Sequence, residues 1–218
     1  MKKLFFWINL ALIFTSANSS QSLASQVPIS SETPLFKSLV SARPDVHSTL
    51  YEVKRGDHLT SISKRFKTTA ECLKKINALV SDRLVPGMKL KIPNYKFSVI
   101  VDKSQNTLTL KGDEEVLKIY PVATGLNNST PIGVFKIKDK LENPTWYKAG
   151  AVVPHGSPQN VLGTRWMGIT KAGYGIHGTT EPEKIGQQVT AGCVRMKNED
   201  VEELYGFLPL GTEVTVVD

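Results

Sequence analysis

From Phe97 to the last residue, Asp218, the chain is cut into short runs whose side chains alternate between apolar and polar: FSVIVD, TLTLK, VLKIYPVAT, GVFKIKD, RWMGIT, YGIHG and EVTVVD. Period-two alternation puts one face of an extended segment in a core and the other in water, a pattern a helix cannot use. KSQN and GDEE, between the first three runs, carry turn chemistry. Residues 96–218 are thereby constrained to a mainly β domain, long enough to hold its own core. One helix fits, with Asn198 as N-cap, an acidic first turn at Glu199-Asp200, and a stop at Gly206 and Pro209 after Tyr205.

The period changes upstream. In YEVKRGDHLTSISKRFKTTAECLKKINALVSDRLVPGMKLKIPN, a short strand and a Gly-Asp turn precede Leu59, Ile62 and Phe66 at helical spacing. A second helix runs from Thr69 to Ile76, capped by Thr68 or Thr69, and a Pro-Gly turn leads into a closing strand. The layout is strand, helix, helix, strand, with the two strands placed to pair. This stretch also holds the charge: residues 51–94 carry ten Lys or Arg against four Asp or Glu, whereas residues 95–218 carry thirteen against fourteen. An extended acidic partner would be drawn to the first unit. Nucleic acid is a poor candidate, because the basic residues are not interleaved with a stacking series of aromatics.

The N-terminus argues against nucleic acid as well. Lys2 and Lys3 precede an apolar run from Leu4 to Phe14, and Ser22-Leu23-Ala24 offers a small-x-Ala cleavage site. Residues 1–24 are expected to be a secretory signal, too short in its apolar part to span a bilayer. The mature protein is expected in the periplasm or cell wall, with no transmembrane segment. Residues 25–49, rich in Ser, Pro and Thr, read as a linker or weakly ordered arm. The two cysteines of the chain, Cys72 on an apolar helix face and Cys193 in a glycine-flanked turn, fall in different units and are expected to be free thiols.

His177 and Cys193, sixteen positions apart and each beside a glycine, admit two readings: a core histidine with a buried thiol, or a base with its nucleophile. A turn shortly before a helix leaves N–H groups without partners, which would lower the thiol pKa and stabilise an oxyanion. His155 reads as a loop residue, and His47 and His58 lie outside the β domain. Four scattered histidines and two distant cysteines do not make a metal site, nor is there a phosphate-binding glycine loop, so no metal and no cofactor are expected.

Residues 50–94, through YEVKRGDHLTSISKRF, LKKIN and LVPGMKLKIP, resemble a LysM module, a small α+β unit (βααβ) that binds N-acetylglucosamine-containing glycans such as peptidoglycan. Residues 96–218, through STPIGVFKI, NVLGTRWMGI, YGIHGTTEP and TAGCVRMKNEDVEEL, resemble the catalytic domain of the L,D-transpeptidase, or YkuD-like, family. That resemblance implies a β-sandwich with one or two short helices. It makes Cys193 the nucleophile, His177 the general base and later acid, and the Gly178 carbonyl the acceptor that orients the imidazole. Amides near Gly192 and Cys193 would be oxyanion donors, Thr190 matches the family's Ser/Thr position, and Arg195 either faces substrate or braces the loop. Where many relatives have a second histidine before the Gly-Cys pair, this chain has Ala191. The resemblance implies transfer of a peptidoglycan stem peptide through a cysteine thioester, forming 3-3 cross-links. Use of water would make an L,D-carboxypeptidase, use of a protein amine a tethering enzyme, and loss of catalysis a wall-binding protein.

Overall fold

The computed structural model describes residues 31–148 and 150–218, and the segment read as a secretory signal, residues 1–24, lies outside them. In chain order the first elements are β1 (Ser31–Glu32), α1 (Pro34–Val40), β2 (Ser48–Glu52), α2 (Leu59–Arg65), α3 (Ala70–Ile76) and β3 (Lys89–Pro93). Then come β4 (Phe97–Asp102), β5 (Thr107–Gly112), β6 (Glu115–Pro121), β7 (Thr124–Gly125), β8 (Gly133–Glu142), β9 (Trp146–Lys148) and β10 (Ala151–Val153). The chain finishes with β11 (Arg165–Ile169), β12 (Gly175–His177), β13 (Gln188–Thr190), β14 (Val194–Arg195), α4 (Asn198–Phe207) and β15 (Glu213–Val217).

The mainly β character read from the alternation is what forms. A single curled sheet of nine strands runs in the order β1-β6-β5-β4-β15-β8-β11-β12-β14. In FSVIVD the apolar Phe97, Val99 and Val101 are buried while the residues between them are half-exposed, as period two requires. β15 enters between β4, which it meets in parallel, and β8, which it meets antiparallel, so the end of the chain closes the middle of the sheet. At the far edge β11, β12 and β14 lie side by side, β14 parallel to β12, and this edge carries the candidate site. Among the described residues no helix is long and apolar enough to cross a membrane.

The βααβ unit forms as its periodicity dictates. β2 and β3 pair antiparallel with Tyr51 opposite Leu90. α2 buries Leu59 and Ile62, and α3 buries Cys72, Leu73 and Ile76. Thr69 caps α3, its hydroxyl accepting from the Cys72 N–H at 2.9 Å, and both cysteines are free thiols.

Over residues 31–49 the reading of a weakly ordered arm is corrected: the segment is an ordered strap. Ser31 and Glu32 pair with Ile119 and Lys118 at the edge of the large sheet. Thr33 caps α1 by accepting from Phe36 N–H at 3.2 Å, and Pro34 sits at the first helical position, where its missing N–H costs nothing. Phe36 and Leu39 are buried, each contributing about 2 kcal/mol by removal from water. The helical spacing of Phe36, Leu39 and Val40 was there to be read, but flanking Ser and Pro masked it. Phe36 meets Phe207 of α4 edge-on at 5.6 Å, and Phe207 in turn packs on Phe97 at 5.8 Å. Strap, βααβ unit and β domain thus share one buried cluster.

Candidate active site

Three neighbouring strands build one face. Trp166 of β11 stands directly opposite His177 of β12, and His177 is in register with Arg195 of β14. Cys193 lies two residues before Arg195 and so shares its side of the strand. On β12 the residue one step back from the Ile176–Val194 pair is Gly175. With no side chain at 175, the Trp166 indole occupies that space: a Cβ there would lie 2.8 Å from Trp166 Cζ2 and Cη2. His177 on β12 and Cys193, immediately before β14, are thereby brought to the same edge of the sheet.

The imidazole is fixed. Its Nδ1 lies 2.7 Å from the Gly178 carbonyl oxygen, which makes Nδ1 the protonated nitrogen and leaves Nε2 as the lone-pair nitrogen. Trp166 covers it, ring centroids 6.0 Å apart and 20° from parallel. Burial drives the His177 pKa down to about 4; the Gly178 hydrogen bond opposes this and the Arg195 guanidinium adds to it. The ring is neutral at neutral pH.

The thiol departs from the expectation that its turn lowers its pKa. Burial pushes the Cys193 thiol up, and the Gly175 backbone and Arg195 only partly offset this. Its hydrogen points at the Gly173 carbonyl, 3.7 Å away. Cys193 is followed at once by β14, with α4 beginning only at Asn198, so unpaired helix N–H groups do not converge on the sulfur. At neutral pH the thiol and the imidazole both rest neutral.

The turn is braced from within. Thr190 Oγ1 donates to the Cys193 carbonyl at 2.6 Å and accepts from the Gly192 N–H at 3.1 Å. This commits the Gly192 amide, one of the two expected oxyanion donors. Gly192 has φ +122°, and a Cβ there would lie 2.6 Å from the Tyr174 ring, so glycine is required twice over. Arg195 is buried, and its Nη1 donates to Glu181 Oε2 at 2.8 Å. Of the two roles left open for Arg195, this geometry matches the brace.

Asn198 does not cap α4; Lys197 occupies the N-cap position. The Asn198 Oδ1 instead accepts from the N–H groups of Thr179 at 2.9 Å and Thr164 at 3.3 Å, while its Nδ2 donates to the Thr179 carbonyl at 2.9 Å. It ties the helix start to the backbone just after Gly178. Sequence reasoning missed Trp166, Glu181 and this role of Asn198, because none lies within a signal as local as a glycine-flanked cysteine.

Cys193 opens into a cavity of about 300 Å³ walled by Leu141, Trp146, Tyr147, Leu162 and Trp166. Trp146 and Tyr147 come from the β9–β10 hairpin, which stands apart from the large sheet. The mixture of apolar walls and one nucleophilic atom suits a small peptide more than a bare ion. Ala191 is exposed. His155 is exposed and borders a separate, smaller cavity with Asn160 and Thr164, His47 stacks on Tyr95 and His58 precedes α2, so none joins this face.

Comparison with known proteins gives the geometry a context. The YkuD description, L,D-transpeptidase catalytic domain, matches residues 96–216, and the LysM domain matches residues 51–93. The L,D-transpeptidase YkuD of Bacillus subtilis is 36% identical over 173 residues, covering 76% of this chain and 97% of its own. YqjB of the same organism, also named an L,D-transpeptidase, is 42% identical over 126 residues, 55% of this chain and 70% of its own. An L,D-transpeptidase structure from Mycobacterium tuberculosis aligns over 79% of this chain and 91% of that one, with 15% identity and a TM-score of 0.49.

Proposed function

This chain belongs to the L,D-transpeptidase family of the YkuD type and carries a LysM domain ahead of the catalytic domain, and on that premise we propose that Cys193 and His177 transfer peptidoglycan stem peptides. The observation that carries the reading is that His177 of β12 stands in register with Arg195, two residues after Cys193, with Nδ1 engaged by Gly178 and the sulfur facing a cavity.

Both groups rest neutral, so the thiol is activated as it attacks. The S–H proton passes to His177 Nε2 while sulfur bonds to the carbonyl carbon of the L-centre third residue of a tetrapeptide stem. With the Gly192 N–H held by Thr190, the oxyanion falls to the Cys193 N–H, next to the Arg195 charge. Collapse breaks the bond to the terminal D-Ala, whose nitrogen takes the proton from Nε2 and leaves a thioester. A second stem's amine then attacks, gives its proton to Nε2, and the thiol is restored as a 3-3 cross-link forms. The resident machinery is the chain's own side chains and amides. The LysM domain supports attachment to the glycan strands, and the reading places the mature protein in the periplasm or cell wall.

The test is mass spectrometry of the full chain with a tetrapeptide donor. Cys193 should gain the tripeptide acyl mass, Cys193→Ala should gain nothing, and His177→Gln should acylate about 10²- to 10⁴-fold more slowly. An adduct forming as readily in either variant as in the parent would remove the assigned roles. Adding water alone, a free stem or a protein amine then identifies the acceptor that resolves the thioester.

A further inference from the structure

Trp166 is built in with more care than a wall residue needs. Its ring lies against the His177 imidazole at 6.0 Å and 20°, as cross-strand register dictates. Room for it exists because β12 carries Gly175, where a Cβ would meet the indole at 2.8 Å. On its other side the indole Nε1 donates to Asp139 Oδ1 at 2.8 Å. Asp139 belongs to β8, and its register partner on β11 is Gly168, where a Cβ would collide with the Asp139 carboxylate. Two glycines on adjacent strands thus clear a channel for one indole and its anchor. The same indole walls the cavity into which Cys193 opens.

We propose that Trp166, anchored by Asp139, is the positioning residue for His177: it holds the imidazole plane toward the sulfur and closes its exposed side to water. The inference rests on the reading of His177 as the base. A ring free to rotate about χ2 would spend much of its time with Nε2 turned from the thiol. The Gly178 hydrogen bond restrains Nδ1 from one side, and a stacked indole that cannot itself turn restrains the plane. The Nε1 bond to Asp139 is what stops the indole turning, so a carboxylate two strands away acts through it on the base.

The groups that bear on the imidazole are few. Arg195 on β14 faces it and is itself paired with Glu181. Asp139 on β8 lies behind the indole, and α4 presents the neutral Asn198 to the Gly178–Thr179 backbone. Exposing the ring to water would let it take a proton more readily, so the acidic limb of Cys193 acylation reports on the shield.

The experiment uses the full chain with Asp139→Leu, Trp166→Phe and Asp139→Asn. Acylation of Cys193 by a tetrapeptide is followed from pH 3.5 to 8, and the His177 ring is titrated by NMR in the Cys193→Ala background. Asp139→Leu and Trp166→Phe should raise both the limb and the ring titration by about one pH unit or more toward the ordinary value. Asp139→Asn keeps an acceptor oxygen for the indole and should stay within a few tenths of the parent. Parent-like profiles in Asp139→Leu and Trp166→Phe overturn the inference, and so does an Asp139→Asn shift equal to that of Asp139→Leu. Should Asp139→Leu not fold, Trp166→Phe decides alone. If His177→Gln acylates like the parent, it is the base assignment that fails; a slow His177→Gln with unshifted variants sinks the positioning role only.

Discussion

The His177 imidazole is held neutral by its surroundings, and that has a consequence for stability. Its folded pKa of about 4 lies below its unfolded value of 6.5, so between these values the unfolded chain takes a proton that the folded chain refuses. Above pH 6.5 neither state is protonated there and the full stability is present. As pH falls from 6.5 to 4 stability is lost, up to about 3 kcal/mol, and below 4 the loss from this group stops. Urea midpoints at pH 7 and 4.5 should therefore fall further for the parent than for His177→Gln; equal falls would refute the buried neutral ring. His177, Gly178, Thr190 and Cys193 could be picked out as candidates from the sequence, because a glycine-flanked histidine and cysteine at that separation form a local signal. The state of the thiol could not be read there. Its pKa is raised by burial, against the opposing Gly175 backbone and Arg195, and that burial comes from segments distant in the chain that the sequence around Cys193 does not show.

At the scale of elements, the long alternating strands were readable and the short ones were not. β4, β5 and β15 each bury alternate residues, whereas β7, β13 and β14 hold two or three residues and form because neighbours offer them partners. The start of α4 shows how tertiary context overrides a local signal. Asn198 has the chemistry of an N-cap, yet its amide is spent across the gap to Thr179 and Thr164. Asn198→Ala should leave those part-buried backbone groups without this partner and cost about 1–3 kcal/mol. An Asp at 198 keeps the two acceptor bonds but cannot donate to the Thr179 carbonyl, so Asn198→Asp should lie between parent and Ala. Chemical denaturation of the three proteins at pH 7 checks the order, and an Ala variant as stable as the parent would show that water satisfies the groups instead.

Across the whole molecule the strap, the LysM domain and the catalytic domain are bound by charge as well as by the aromatic cluster. Glu203 of α4 pairs with Lys75 of α3 and with Lys118 of β6, and Lys118 also reaches Glu32 of the strap at 3.0 Å. Lys91 of β3 is almost fully buried, and its ammonium donates to the carbonyls of Ser38 at 2.8 Å, Leu39 at 3.3 Å and Ser41 at 3.1 Å, and to Asp45 at 2.9 Å. It acts as the C-terminal cap of α1 with a buried charge, a site where a cation favours the helix end. The cores merge, so excising residues 51–93 would strip cover from Phe97, Leu204 and Phe207 and confound any test of wall attachment. The coupling is better tested by substitution. Lys91→Met keeps the apolar stem but leaves Asp45 and three carbonyls without their cation, which should cost about 3–5 kcal/mol. The parent should unfold in one calorimetric transition, since a shared core cannot melt in halves. In Lys91→Met the strap should open first, seen as proteolytic cleavage within residues 31–47 at temperatures where Cys193 still acylates. Cleavage that appears only together with loss of acylation would mean that the strap adds stability without being a separable clasp.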